Sequence, residues 1–266
     1  MKKNDIQLIP SYWASVSGGK DSLFMLKLIL SQRDRYPLDG VVHFELEIDY
    51  PFIKDVVDFM ESECKNYNIP FVRIRPRRSW EEIYYTQLPN GNYYGFPTRK
   101  ARWCNSMYKL DCFKQLTEFL QSRGRSVVSY IGYCVDEPER YKKRNVSEIY
   151  PLVENGIYET SILQWSKTVP LFNNYYLSNR RCGCMYCPLS DYVKFAYLYK
   201  YYPDNFKYMI EKMRETERMR SVELGRPFSC IQSNPKYNAD YLEHIVKTRY
   251  LNELEYLEHN EQLTLF

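Results

Sequence analysis

Histidine is scarce: His43, His244 and His259 are the only three in 266 residues, they form no cluster, and they suggest no site. Long apolar runs are missing. No stretch approaches the roughly eighteen apolar residues of a membrane-spanning helix. The Met1-Lys2-Lys3 start is followed by no apolar leader, so a cytoplasmic protein with no membrane partner is expected. There is no internal repeat and no low-complexity segment. No charge of one sign dominates either, the formal net charge being +4. Basic residues nevertheless gather at Arg73, Arg75, Arg77 and Arg78, at Arg99, Lys100 and Arg102, and at Arg140, Lys142, Lys143 and Arg144. Such clusters suit phosphate-bearing partners, and the 27 tyrosines interleaved with them would allow base stacking. A solvated basic face around a nucleotide pocket is the plainer alternative.

What is present begins with VSGGKDS, Val16 to Ser22, between the β-prone SYWAS and the helically spaced SLFMLKLIL. This is a strand, a turn and a helix. Glycines free the backbone there, and a helix start offers N–H groups and a positive dipole end to a phosphate, with Lys20 as a mobile positive charge beside it. An ordinary turn capped by Ser17 or Asp21 is the competing reading. Further along, Val41 to Glu47 reads as a strand, Pro51 to Tyr67 as a helix, Phe71 to Ile74 as a strand, Asn105 to Arg123 as a helix and Ser126 to Gly132 as a buried strand. The alternation predicts an α/β fold with a parallel sheet flanked by helices. Between them, Arg75 to Arg102 carries little periodicity and reads as a functional loop. Beyond about residue 160 the pattern is helical, so a nucleotide-binding domain over 1–160 and a helical region over 161–266 are expected.

The turn is not the GxxxxGK[ST] loop of kinases and GTPases, since one short glycine pair precedes the lysine. It resembles the SGGKDS loop of the PP-loop ATP pyrophosphatases, with their Rossmann-like sheet. Three more stretches, RWCNSMYK, IGYCVDEPERYKK and YPLVENGIYE, followed by RRCGCMYCP, resemble the phosphoadenosine phosphosulfate (PAPS) reductase family within that superfamily. The resemblance runs from about residue 12 to 190. It implies that Ser15, Ser17, Gly18, Gly19, Lys20, Asp21 and Ser22 surround ATP and its pyrophosphate, with Mg2+ neutralising charge. It places Arg102, Cys104 and Lys109 beside the nucleotide or its acceptor, and Asp136, Glu137 and Arg140 in a loop facing the phosphates, with Lys20, Asp136 and Arg140 catalytic. Where relatives carry an Asp-Thr-Gly-like run, this chain reads Glu45-Leu46-Glu47, a departure in the region expected to meet adenosine.

Eight cysteines in a chain expected to be cytosolic argue for metal ligation, catalysis or burial rather than disulfides. Cys184 and Cys187 stand at the two-residue gap that lets two thiolates reach one metal centre. With Cys104 they resemble the pattern by which family members hold a 4Fe-4S cluster, Cys182 or Cys230 being candidates for the fourth ligand. Zinc would accept the same thiolates, and metal-free cysteines remain an alternative. Cys64, Cys112 and Cys134 lie in helix or strand patterns and are expected to be buried.

The resemblance implies an adenylating enzyme of the sulfur-transfer branch, turning ATP into AMP and pyrophosphate to activate a tRNA, DNA or small-molecule acceptor. A cysteine desulfurase or another sulfur donor would supply the sulfur. Two alternatives stay open: a PAPS or adenosine phosphosulfate reductase, although the Glu-Cys-Gly-x-His nucleophile motif is missing, and an ATP-binding accessory or sensor protein. Finally, Gln262-Leu263-Thr264-Leu265-Phe266 resembles the QLxLF peptide that docks on the bacterial sliding clamp, the alternative being that it finishes a helix from Asp240.

Overall fold

A computed structural model describes residues 8–142, 146–232 and 234–264, with side chains to residue 261. The basic residues Lys143 and Arg144, and Leu265 and Phe266 of the terminal peptide, lie outside the described residues. Gln262 to Thr264 close the last helix, Leu251–Thr264.

The alternation read from the sequence is an α/β fold. Strands β1 (Ile9–Val16), β2 (Gly40–Phe44), β3 (Phe71–Ile74), β4 (Arg125–Tyr130) and β5 (Glu148–Ile149) form one parallel sheet in the Rossmann-like order β3-β2-β1-β4-β5. Helices α1 (Lys20–Ser31) and α2 (Phe52–Asn66) pack on it through apolar stripes such as Leu23, Leu26 and Ile29 or Ile53, Val57 and Met60. A second core joins Trp13, Val42 and Val127 of the sheet to Leu116 and Leu120 of α4 (Leu110–Gln121). Gly40 makes room for it, because a Cβ there would lie 2.6 Å from the Trp13 ring.

The chain divides into two compact units. One comprises Met1–Leu46, Pro51–Arg77 and Leu110–Asn173 and holds the whole sheet. The other comprises Glu47–Tyr50, Arg78–Lys109 and Asn174–Phe266. Arg75 to Arg102, read as a loop, contains a short helix, α3 (Trp80–Tyr84), whose start carries a full capping box: Ser79 accepts from the Glu82 N–H and Glu82 accepts from the Ser79 N–H. The helix expected from Asn105 begins as a π-helix over Cys104–Lys109 before α4 takes over. The helical reading beyond residue 160 is met by α7 (Glu159–Lys167), α8 (Tyr175–Ser178), α9 (Tyr192–Tyr201), α10 (Pro203–Leu224), α11 (Ala239–Ile245) and α12 (Leu251–Thr264), with the short α5 (Pro138–Tyr141) and α6 (Pro151–Glu154) preceding them. Among the described residues no helix is long and apolar enough to cross a membrane.

Candidate functional site

Strands β1 and β4 are neighbours in the sheet, yet β1 leads to β2 on one side and β4 to β5 on the other. The crevice at their carboxyl ends is the topological switch point, where ligands bind in open α/β sheets. Both expected loops emerge there. Gly132, just past β4, lies so near the first turn of α1 that a Cβ would sit 3.1 Å from the Asp21 carbonyl oxygen.

Within the turn, Gly18 has φ +74°, a left-handed conformation that glycine adopts without strain. The Ser17 N–H donates to Ser22 Oγ at 3.2 Å, and that hydroxyl donates to the Gly19 carbonyl at 2.9 Å. Gly19 is the N-cap of α1, and among the described residues no side chain caps the helix. The cap by Ser17 or Asp21 that an ordinary turn would use is therefore not made. The first turn keeps its dipole end and N–H groups for an anion. Ser15 lies in β1, paired in register with Val42.

Lys20 is not the mobile charge that its sequence position suggests. Its side chain is 0% exposed, with Nζ 2.7 Å from Asp21 Oδ1 and 3.3 Å from Glu159 Oε1. Burial holds the Asp21 carboxyl above the ordinary carboxylate range, Lys20 pulls it down, and the nearby Glu159 and Glu137 charges push it up again. Asp136, exposed, accepts the Glu159 N–H at 2.9 Å and so ties its loop to the start of α7, the helix that brings Glu159 to Lys20. Glu137, buried, accepts from the Cys134 N–H at 3.2 Å and from Arg140 at 2.7 Å, and the Arg140 guanidinium lies 4.3 Å over the Tyr133 ring. Cys134 is buried as expected, and its thiol, 3.9 Å from Asp21 Oδ1, is pushed up to about 12 first by burial and then by the Asp21 charge.

Glu159 escaped the sequence reading. Its only signal was its place as the last residue of YPLVENGIYE, a stretch to which no role had been given. Glu45, in the departing run, forms an ion pair with Arg75 at 2.8 Å.

Arg102, Lys109 and the candidate ligands Cys104, Cys182, Cys184 and Cys187 all belong to the second unit. Cys104 opens the π-helix and Lys109 closes it. The Met185 N–H donates to the Ile48 carbonyl at 2.8 Å, fixing the cysteine loop, and the Cys187 N–H donates to the Cys184 carbonyl at 3.3 Å. Burial pushes the Cys104 thiol up to about 11, with the Cys187 charge adding and Arg102 opposing. The Cys184 thiol rises to about 12 through burial and Asp49, Lys109 opposing. Cys187 thus lies within electrostatic reach of both. Asp49 and the buried Lys194 are additional charged neighbours that the sequence reading did not single out. Among the described residues, however, no three His, Cys, Asp or Glu side chains gather so as to hold one metal ion. Cys230 is 2% exposed, its N–H bonded to Glu217.

No family model matches the chain. It is similar in sequence to two uncharacterized proteins of Methanocaldococcus jannaschii: MJ0973, 25% identical over 240 residues that cover 80% of this chain and 53% of that one, and MJ0066, 25% identical over 193 residues covering 66% and 35%. The chain spans about half or less of these relatives' length. Among solved structures, the U34-tRNA thiolase NcsA from Methanococcus maripaludis with its 4Fe-4S cluster aligns at a TM-score of 0.38 and 15% identity, covering 91% of this chain and 74% of that one.

Proposed function

We propose that this protein is an ATP-dependent adenylating enzyme of the PP-loop type, resembling the PAPS reductase family and serving sulfur transfer to a nucleic-acid or small-molecule acceptor. The observation that carries the reading is the helix start without a side-chain cap at the switch point, with a fully buried lysine held beside it by Asp21 and Glu159. An acceptor oxygen would attack the α-phosphorus of ATP. The bond to the bridging α–β oxygen breaks, and that oxygen leaves with pyrophosphate. The amide groups of Gly18 and Gly19 and the Ser17 and Ser22 hydroxyls would bind the leaving phosphates, and the Lys20 ammonium would stabilise the charge that develops on them. Arg140, cradled by Glu137 and Tyr133, would fork onto a phosphate oxygen. Asp136 is the carboxylate that would hold Mg2+. The ion's service is charge neutralisation, and nucleotide phosphates commonly provide several of its ligands.

The thiols Cys104, Cys182, Cys184 and Cys187 are the proposed sulfur-handling site. Their chemistry suits iron-sulfur or zinc, but their arrangement does not gather three ligands, so no step is routed through a metal. Iron, sulfide and zinc analysis of anaerobically purified protein, with and without Cys184→Ser and Cys187→Ser together, tests this part. The alternative reductase would need an accessible nucleophile. The Cys230 thiol is buried and held well above its ordinary range by burial, with Glu217 adding. No thioredoxin-dependent sulfite from PAPS is expected, and sulfite abolished by Cys230→Ser would promote the reductase. For the main reading the measurement is the inorganic product: pyrophosphate supports it, and orthophosphate alone overturns it. Turnover also separates the enzyme from a sensor.

A further inference from the structure

The three basic clusters in the sequence are not equivalent once their partners are known. Arg73 pairs with Asp58 at 2.6 Å and with Glu61, Arg75 with Glu45 at 2.8 Å, and Arg77 with Asp111 at 2.9 Å and with Glu118. Arg140 pairs with Glu137 at 2.7 Å and Lys142 with Glu139. These charges are internally neutralised. By contrast, Arg99, Lys100, Arg102 and Lys109 are all exposed, and none has an ion-pair partner among the described residues.

These four cations lie along one short segment of the second unit, and Cys104 falls between Arg102 and Lys109. Arg102 and Lys109 are close enough to Cys104 and Cys184 respectively to lower their thiol pKa values. Arg180, exposed and likewise without an ion-pair partner among the described residues, stands two residues before Cys182. Part of the uncompensated positive charge of the unit thus borders its thiols. Exposed cations with no intramolecular partner keep their full field for an external polyanion. The segment includes a π-helix, a backbone form frequent at functional sites.

We infer that Arg99, Lys100, Arg102 and Lys109 form the docking surface for the phosphate backbone of an unpaired stretch of nucleic acid, which delivers its reacting nucleotide to the thiols. This choice of acceptor class rests on the sulfur-transfer reading above. A single strand fits better than a duplex because the thiols are half-buried and a paired base cannot leave the stack to reach them without unstacking. The row of cations binds the backbone without reading sequence, so affinity falls with salt in proportion to the phosphates neutralised.

The test uses the full chain and fluorescein-labelled 20-nucleotide single strands, one of RNA and one of DNA, in anisotropy titrations over a range of KCl. Arg99→Gln with Lys100→Gln should reduce the slope of log affinity against log salt by about 1.4, which is two phosphates at about 0.7 each for a single strand. Arg73→Gln with Arg75→Gln, removing the same charge from ion-paired positions, should leave the slope unchanged. The sugar of the tighter strand identifies the acceptor as RNA or DNA. Equal slope loss in both double variants, absence of salt-dependent binding by the parent, or equal competition by polyglutamate would overturn the surface. Pyrophosphate release is measured separately on the same preparations. Its failure with strand binding intact sinks the adenylation reading, whereas strand binding lost from the parent with release intact sinks the surface.

Discussion

At the scale of single residues, Lys20 decides most. A buried ammonium with two carboxylate partners contributes to stability as well as to chemistry. Lys20→Ala removes the ammonium that pairs with Asp21 and Glu159, and removing one partner of a buried pair costs about 3–5 kcal/mol. Denaturant unfolding should show that loss. Pyrophosphate release should fall on the order of 10²-fold or more even at temperatures where the variant stays folded, because the charge stabilising the leaving group is gone. A folded variant with undiminished release would remove Lys20 from the mechanism.

Asp21 adds a pH signature. Its folded-state pKa is raised above the ordinary 3.8 by burial, with Lys20 opposing, so the folded state takes up that proton more readily than the unfolded state. The corresponding contribution to stability is full below the ordinary value and is lost as pH rises through the raised one. Urea unfolding from acid to neutral pH should therefore show the parent losing stability relative to Asp21→Asn across that rise. A parallel pair of curves would mean that the Asp21 carboxyl is not perturbed.

At the scale of elements, the junction of β1 and α1 depends on a backbone angle and on close packing together. Gly18 has φ +74°, and a Cβ there would lie 2.6 Å from Ile53 Cγ2 and 3.3 Å from Val57 Cγ2 of α2. Gly18→Ala should cost about 1–3 kcal/mol from the backbone conformation alone. The clash with α2 adds to that and shifts the amide groups at the start of α1. Calorimetry should show a lower melting temperature, and ATP affinity should fall with it. Unchanged affinity would argue that the turn does not contact the nucleotide.

Most elements were legible because their signals are local. Phe71–Ile74 is the strand that its β-branched and aromatic residues indicate, and Phe52–Asn66 matches its apolar period within a residue at each end. The capping box at Ser79 and Glu82 was also written in the sequence, as S-x-x-E, but α3 is five residues long, too short to establish a period. The π-turn at Cys104–Lys109 had no such signature, since a wider turn inside a helical stretch is decided by what packs around it.

At the scale of the whole molecule, ligand binding should be visible as unequal stabilisation of the two units. ATP with Mg2+ at a hundredfold excess over its Kd stabilises the state that binds it by about 2.7 kcal/mol. That corresponds to a rise on the order of 10 °C in the transition of the unit holding β1 and α1. Scanning calorimetry with and without nucleotide, repeated on Lys20→Ala, reads it directly. No shift at saturating ATP would leave the candidate site without its ligand.

The sequence by itself determined the α/β alternation and the strand-turn-helix around Ser17 to Ser22, because period and glycine placement act over a few residues. It did not reveal that Lys20 would be buried rather than mobile, or that Glu159 would be its second partner, since their contact spans a sequence separation of 139. Nor could it distinguish the ion-paired arginines at 73, 75 and 77 from the exposed cations at 99, 100, 102 and 109, which look alike as residue types. Only the tertiary structure decided these, and the interleaving of segments between two units, because burial and charge pairing depend on which distant residues the packed chain brings together.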